Sequence, residues 1–211
     1  MELEFIKTAF ITLFVAVDPL GLAAIFLALT AHMTQADRKQ TAYQSVVIAF
    51  SILTATAFGG EPLLKAVGIS IPAFRIAGGI LLFIIAIEMV FEKREQRKSH
   101  SATAEITYDP PSKVAACPLA IPLMAGPGAI TATILQAEAT SGNTMNFIGL
   151  IGVLLVVIGS CLAVFLLANP IDKLLGMTGR VVLSRLLGVL LAALAIQTIG
   201  DGIAAFIQAQ S

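Results

Sequence analysis

The sequence predicts an all-α, polytopic membrane protein with six transmembrane helices. Of its 211 residues, 57% are hydrophobic and only 12% are charged, whereas soluble domains carry roughly 25% charged residues. A helix needs about 20 apolar residues to cross the hydrocarbon core of a bilayer. Six segments come close to that length, at residues 5–31, 41–59, 72–91, 114–137, 147–168 and 181–207.

The composition also argues against several classes of protein. The net charge is zero and the basic residues are scattered, so nucleic acid is not an expected partner. Cys117 and Cys161 lie in separate apolar segments without metal or disulfide spacing, and we interpret both as packing residues. His32 and His100 fall in loops, and no catalytic constellation occurs within the spans. We therefore expect no enzyme activity, no cofactor and no metal site.

The distribution of Lys and Arg predicts the orientation in the membrane. With the N-terminus outside, ten of the thirteen basic residues lie in the cytoplasm, and the positive-inside rule then places both termini outside. The polar segment 92–113 becomes a cytoplasmic linker between residues 1–91 and 114–211. The ten residues are Arg38, Lys39, Lys93, Arg94, Arg97, Lys98, Lys113, Lys173, Arg180 and Arg185.

The chain matches itself at a nearly constant offset, which predicts an internal duplication. Each half holds three helices, an odd number, so the second half enters the membrane from the opposite side. The result is a 3+3 inverted-topology repeat, an arrangement of secondary transporters; a duplicated scaffold without a transport role is the alternative. The matched pairs are Pro19 with Pro127, Pro62 with Pro170, Lys65 with Lys173, Gly68 with Gly176, Arg75 with Arg185 and Gly78 with Gly188.

Prolines at equivalent positions predict that helices 1 and 4 are broken near the membrane midplane. Proline removes a helix hydrogen bond but suits the first position of a helix. The helices should therefore restart at Pro19, after Asp18, and at Pro127, after Gly126. Each restart would present unpaired backbone N–H groups and the positive end of a helix dipole.

The two breaks differ in charge, and this difference suggests a substrate. Asp18 occupies the first capping position, whereas the second break offers only glycines. A zwitterion could place its carboxylate on the second end and its ammonium against Asp18, with little room for a large side chain. The predicted binding residues are Asp18, Pro19, Gly21, Gly126, Pro127, Gly128 and Thr131.

Other roles for these polar groups remain open from the sequence. Asp followed by Pro is an ordinary helix start, so Asp18 could serve only as a cap, or it could carry a proton. The hydroxyls of Thr131 and Thr133 could bind a substrate or bond back to their own helix. Asp201 is expected at the outer interface, and Gln136 and Gln197 could join helices by hydrogen bonds.

At these residues the chain resembles the MarC family. The resemblance is carried by the Asp-Pro-Leu-Gly string at 18–21, the string at 118–130, and Gly78-Gly79 with the apolar segment to Glu88. It implies an inner-membrane protein of the superfamily of amino-acid exporters related to the lysine exporter, in which some relatives transport small neutral amino acids. Many relatives continue the first string with Asn and Pro, whereas this chain has Leu22-Ala23-Ala24. The substrate range is therefore expected to differ.

The sequence thus leads to the hypothesis of a secondary transporter of glycine, alanine, serine or threonine, in either direction. One half would rock against the other, and coupling to protons stays open. The expected partners are a small zwitterion and the lipid bilayer, while the oligomeric state is unknown. Drug efflux is an alternative, but the chain has no Trp and only two Tyr to line a large cavity. A non-transporting accessory protein is the second alternative.

Overall fold

The computed structural model describes residues 3–93, 110–140 and 142–208, and within them it is helical and free of strands. By length and composition, five helices could cross a membrane, or six if one pair of helices bent by 60° forms a single span. The predicted fold class is confirmed. The helices are α1 (Leu3–Val17), α2 (Pro19–Leu29), α3 (Gln35–Ala66), α4 (Ile71–Val90), α5 (Pro111–Met124), α6 (Pro127–Glu138), α7 (Thr144–Leu166) and α8 (Ala168–Gln208).

Two helices are longer than their apolar segments predict. The start of α3 is fixed by Thr34, whose hydroxyl accepts the N–H of Asp37 at 3.2 Å. Because this cap lies among polar residues, the helix begins several residues before the apolar stretch at 41–59. In α8, Gly176 has non-helical backbone angles (φ 57, ψ −176) and separates a first segment from the predicted span. Residues 94–109 of the predicted linker lie outside the described residues.

Helices α4 and α8 pack closely against each other, antiparallel, from Gly202 beside Arg75 to Gly188 beside Met89. A Cβ atom on Gly188 would lie 3.0 Å from the carbonyl oxygen of Ala86. Small residues allow backbones to approach in this way, and close packing is a main source of helix association in lipid. We therefore regard α4 and α8 as one packed unit.

The two sequence halves are interleaved rather than packed as separate bodies. Helix α3 packs on α5, α6 and α7, and α7 packs on α1 and α2, so the main contacts join helices of different halves. Within the described residues, the helices of one half make few contacts with each other. The expected rocking of one half against the other therefore does not correspond to two separately packed bodies. The described residues divide more clearly into the α4–α8 pair on one side and the remaining helices on the other.

Several equivalent positions of the two halves have similar local structure. Gly68 and Gly176 both have positive φ, at 78° and 57°, and Pro19 and Pro127 both begin a helix after a break. Contacts between helices correspond as well. Helix α4 packs on α6, and its repeat counterpart α8 packs on α2, which is the counterpart of α6. These features fit a duplication, while the inverted topology stays a prediction.

Candidate functional site

The first break lies at Asp18, where the backbone turns into the left-handed region (φ 59, ψ 66) between α1 and α2. Asp is one of the few residues besides Gly that enter this region readily, and Pro19 then begins α2 as predicted. The N–H of Asp18 still donates to the carbonyl of Phe14 at 2.9 Å, and that of Leu22 to the carbonyl of Asp18 at 3.2 Å. The two helices therefore form one span with a local break.

The Asp18 side chain is buried, with 3% of its surface exposed, and it caps α2. The N–H of Gly21 donates to Asp18 Oδ1 at 3.1 Å. A Cβ atom on Gly21 would lie only 2.3 Å from Asp18 Oδ2, so the carboxylate occupies the place of a side chain. This packing explains the glycine of the Asp-Pro-Leu-Gly string. Capping by Asp18 is confirmed, and roles in substrate binding or proton transfer stay predictions.

The second break is sharper, because α5 and α6 meet at an angle of 60°. Helix α5 is itself irregular: Cys117 and Ile121 have extended backbone angles, and each precedes a proline, which disfavours the helical region. The predicted break lies only at Pro127, although Pro118 and Pro122 are a usable signal for this irregularity. Cys117 is exposed while Cys161 is buried, so the prediction that both are packing residues was wrong for Cys117.

The N-terminus of α6 has no side-chain cap, and buried glycines surround it. A Cβ atom on Gly126 would lie 2.3 Å from the carbonyl oxygen of Pro122, and one on Gly128 would lie 2.3 Å from Cδ1 of Ile85. In contrast, the ring of Pro127 is exposed. Helix α5 and a side chain of α4 therefore cover this helix end in the present conformation.

The two threonines of α6 differ. The hydroxyl of Thr133 donates to the carbonyl of Ala129 at 2.7 Å, so it bonds back to its own helix. Thr131 is 6% exposed, and its hydroxyl has no hydrogen-bond partner among the described residues. Its methyl group faces Gly78 of α4, where a Cβ atom would approach to 2.8 Å. Thr131 keeps its polar group available beside the second break.

Both breaks belong to one buried core. Val17 and Leu22 flank the first break, Ala125 and Ala129 flank the second, and all four lie in the same hydrophobic cluster. Helix α1, which ends at the first break, also packs against α6, which begins at the second. The predicted site residues other than Pro127 are thus buried on neighbouring helices.

A cavity of about 360 Å³ opens near the start of α1, and we call it the N-terminal cavity. It lies between α1, α4, α6 and α8, and its charged lining residues are Glu4, Arg75, Glu138 and Asp201. Hydroxyl and amide groups complete its polar wall. Gln136 and Gln197, which the sequence suggests as hydrogen-bonding groups between helices, line this cavity.

An ion pair between α4 and α6 forms one wall of the N-terminal cavity. Arg75 donates from Nε to Glu138 Oε2 at 3.0 Å, and from Nη2 to both carboxylate oxygens at 2.8 and 2.6 Å. The two side chains are 28% and 19% exposed, and this bidentate geometry holds both groups in fixed orientations. Sequence reasoning treated Arg75 only as a repeat position and missed Glu138. Their location at the same end of two predicted spans was the available signal.

The fold and these buried breaks define a polytopic membrane protein with a polar cavity at one end. The chain belongs to the MarC family, since the model for MarC family integral membrane proteins matches residues 3–207. It is 36% identical to a UPF0056 membrane protein of Methanocaldococcus jannaschii, over 96% of this chain and 98% of that protein.

Bacterial relatives are similar over most of their length. The chain is 36% identical to the UPF0056 membrane protein YhcE of Escherichia coli, over 92% of this chain and 89% of YhcE. It is 30% identical to the UPF0056 inner membrane protein MarC of Salmonella paratyphi A, over 88% of each. No solved structure matches the chain.

Proposed function

We propose that this protein is a secondary transporter of small neutral amino acids such as glycine, alanine, serine or threonine. It would lie in the inner membrane with both termini outside and work by alternating access. The observation that carries the proposal is the unequal pair of buried helix breaks. One begins with a buried carboxylate, and the other is lined by glycine and has no side-chain cap.

The chemistry of the two breaks is complementary to a zwitterion. The N-terminus of α6 carries partial positive charge and unpaired N–H groups, which favour a carboxylate. Asp18 places a carboxylate in the buried core at the other break, and a carboxylate is the natural partner of an ammonium group. Ile85 lies close against Gly128, so a substrate bound at this helix end would need a small side chain.

The packing at the two ends of the core is unequal, as alternating access requires. Helix α1 packs against α6 and α8, whereas its repeat counterpart α5 has no comparable packing against α2 or α4 among the described residues. With the N-terminus outside, this packing would separate the two breaks from the outer side, where the N-terminal cavity opens. Movement of the α4–α8 pair would shift Ile85 from Gly128 and expose the end of α6.

Flux measurements in liposomes test the proposal. Purified protein should give saturable flux of labelled glycine or alanine, and Asp18→Asn should abolish it without loss of thermal stability. Asn is as good a helix cap as Asp and tolerates the left-handed backbone, so this variant removes mainly the charge. Asp37→Asn is a matched control, because Asp37 is a partly exposed carboxylate in the first turn of α3, away from both breaks.

Two results would contradict the proposal at different points. If no amino acid of a small neutral panel shows saturable flux, the transport assignment is wrong. If Asp18→Asn transports like the wild type, Asp18 serves only as a cap. Saturable flux of an antibiotic, without flux of any amino acid, would assign drug efflux instead.

A further inference from the structure

The N-terminal cavity places charged and polar side chains together inside a predominantly apolar bundle. Four helices contribute to its wall, and it reaches from Glu4 to Thr12 along α1. Eight residues of helix correspond to about 12 Å, so the cavity extends well below the surface. Its volume of about 360 Å³ falls within the range of ligand-binding pockets.

The cavity approaches the first break without including it. Thr12 lies six residues before Asp18, which is about 9 Å along a helix. On α6, the lining residue Leu135 is four residues beyond Thr131, or about 6 Å. The inner wall of the cavity is therefore one to two helical turns from residues of the proposed midplane site. A solute in this cavity would lie between one end of the bundle and the breaks.

Charges of both signs line the cavity, with an excess of carboxylates. Glu4, Glu138 and Asp201 contribute three carboxylates, and Arg75 contributes one guanidinium. Glu138 is paired with Arg75 and Glu4 with Lys7. Asp201 has no ion pair among the described residues, so it is the carboxylate available to an ammonium group.

Hydrogen-bonding groups of the cavity also lack partners. Arg75 uses Nε and Nη2 to bind Glu138, while Nη1 donates to none of the described residues and could bind a carboxylate. The side chain of Thr12 is 4% exposed, and its hydroxyl has no hydrogen-bond partner among the described residues. The hydroxyl of Thr12 and the Nη1 group of Arg75 are therefore both available to bind a polar ligand in this cavity.

We infer that the N-terminal cavity is a second binding site for the zwitterionic substrate, separate from the helix breaks. Arg75 binds the carboxylate through Nη1, and Asp201 binds the ammonium group. Gly202 supports this arrangement, because a Cβ atom there would lie 3.0 Å from Cβ of Arg75, so Arg75 packs against α8 beside Asp201. The inference rests on the proposed function for the identity of the substrate.

A single tryptophan tests binding independently of transport. The chain has no Trp, and Phe5 lines the cavity, so Phe5→Trp places the sole indole in its wall. Titration with glycine should change the fluorescence saturably, whereas methylammonium or acetate alone should bind at least about tenfold more weakly. Phe58→Trp is the control, since Phe58 is exposed and lines a different cavity.

Substitutions in the Phe5→Trp background identify the binding groups. Asp201→Asn should weaken glycine binding by about tenfold, while Glu61→Gln should leave it unchanged, because Glu61 pairs with Lys65 outside this cavity. The paired variant Arg75→Gln with Glu138→Gln should also weaken binding, without leaving one charge unpaired. Asp18→Asn should not alter this titration even where it abolishes flux.

The outcomes separate this inference from the proposed function. Absence of saturable change in Phe5→Trp, an equal change in Phe58→Trp, or normal binding by Asp201→Asn would overturn the second site, even if the wild type transports glycine. Saturable binding that depends on Asp201 would support the site, even if no flux is found.

Discussion

The carboxylate of Asp18 lies over the backbone of Gly21, so that these two residues form the start of α2 together. The N–H of Gly21 donates to one carboxylate oxygen, and the other oxygen occupies the space where a Cβ atom would be. Asp18 is held in the left-handed region by this arrangement and by Pro19. The position of the Asp18 carboxylate in the proposed site therefore depends on Gly21, which leaves room for it.

Replacement of Gly21 should be destabilising because of Asp18. In Gly21→Ala, the new methyl group would displace the carboxylate and remove the cap, which costs about 1 kcal/mol for a typical N-cap and lowers the melting temperature. In an Asp18→Gly background the same change should cost much less, because the carboxylate is absent and Gly tolerates the left-handed backbone. A double-mutant cycle measures this coupling. Additive effects of the two substitutions would contradict the account.

The glycines of the second break should respond differently to alanine. In Gly126→Ala the Cβ atom meets a backbone oxygen at 2.3 Å, which cannot move without distorting α5, so little folded protein is expected. In Gly128→Ala the new Cβ atom meets only the flexible end of the Ile85 side chain. Because this side chain can move, the protein should fold, but it should lose transport. Ile85→Val removes the Cδ1 atom and should partly restore flux to Gly128→Ala. Size-exclusion profiles and liposome flux check these outcomes, and equal folding of both alanine variants would oppose them.

Close packing between α4 and α8 can be tested with two glycines of the same helix. In Gly188→Ala, the Cβ atom would lie 3.0 Å from a backbone oxygen of α4, so the helices must separate and the melting temperature should fall. Gly200→Ala has no atom within 4 Å of its new Cβ, and it should be neutral or stabilising because Ala favours helix more than Gly does. If both variants melt alike, the two helices are not held together by this contact.

The orientation of the chain can be checked with single cysteines. In a background without Cys117 and Cys161, a cysteine at Lys65 should react with a membrane-impermeant thiol reagent added to intact cells. A cysteine at Lys39 should react only after the membrane is opened, because the positive-inside rule places it in the cytoplasm. Reversed labelling would invert the predicted topology and with it the side on which the N-terminal cavity opens.

The sequence predicted the spans and both breaks because each depends on local chemistry. Apolar length defines a span, and proline defines a helix start, so Pro19 and Pro127 were located correctly. The irregular form of α5 was missed, although Pro118 and Pro122 restrict the residues before them.

Features that depend on tertiary packing could not be predicted from the sequence. The pairing of Arg75 with Glu138 joins residues 63 positions apart, and no local pattern specifies it. To predict that a Cβ atom on Gly128 would collide with Ile85, one must also know how α6 and α4 lie relative to each other. Interleaving of the halves is likewise a property of packing, and the sequence does not show it.

The central claim is that the two helix breaks together bind a small zwitterion. An experimental structure determined at saturating glycine tests this most directly. The account predicts ligand density between the Asp18 carboxylate and the N-terminus of α6, with the ligand carboxylate within hydrogen-bond distance of the backbone N–H groups near Gly128. Density confined to the N-terminal cavity, or an empty space between the breaks in a protein that transports glycine, would contradict it.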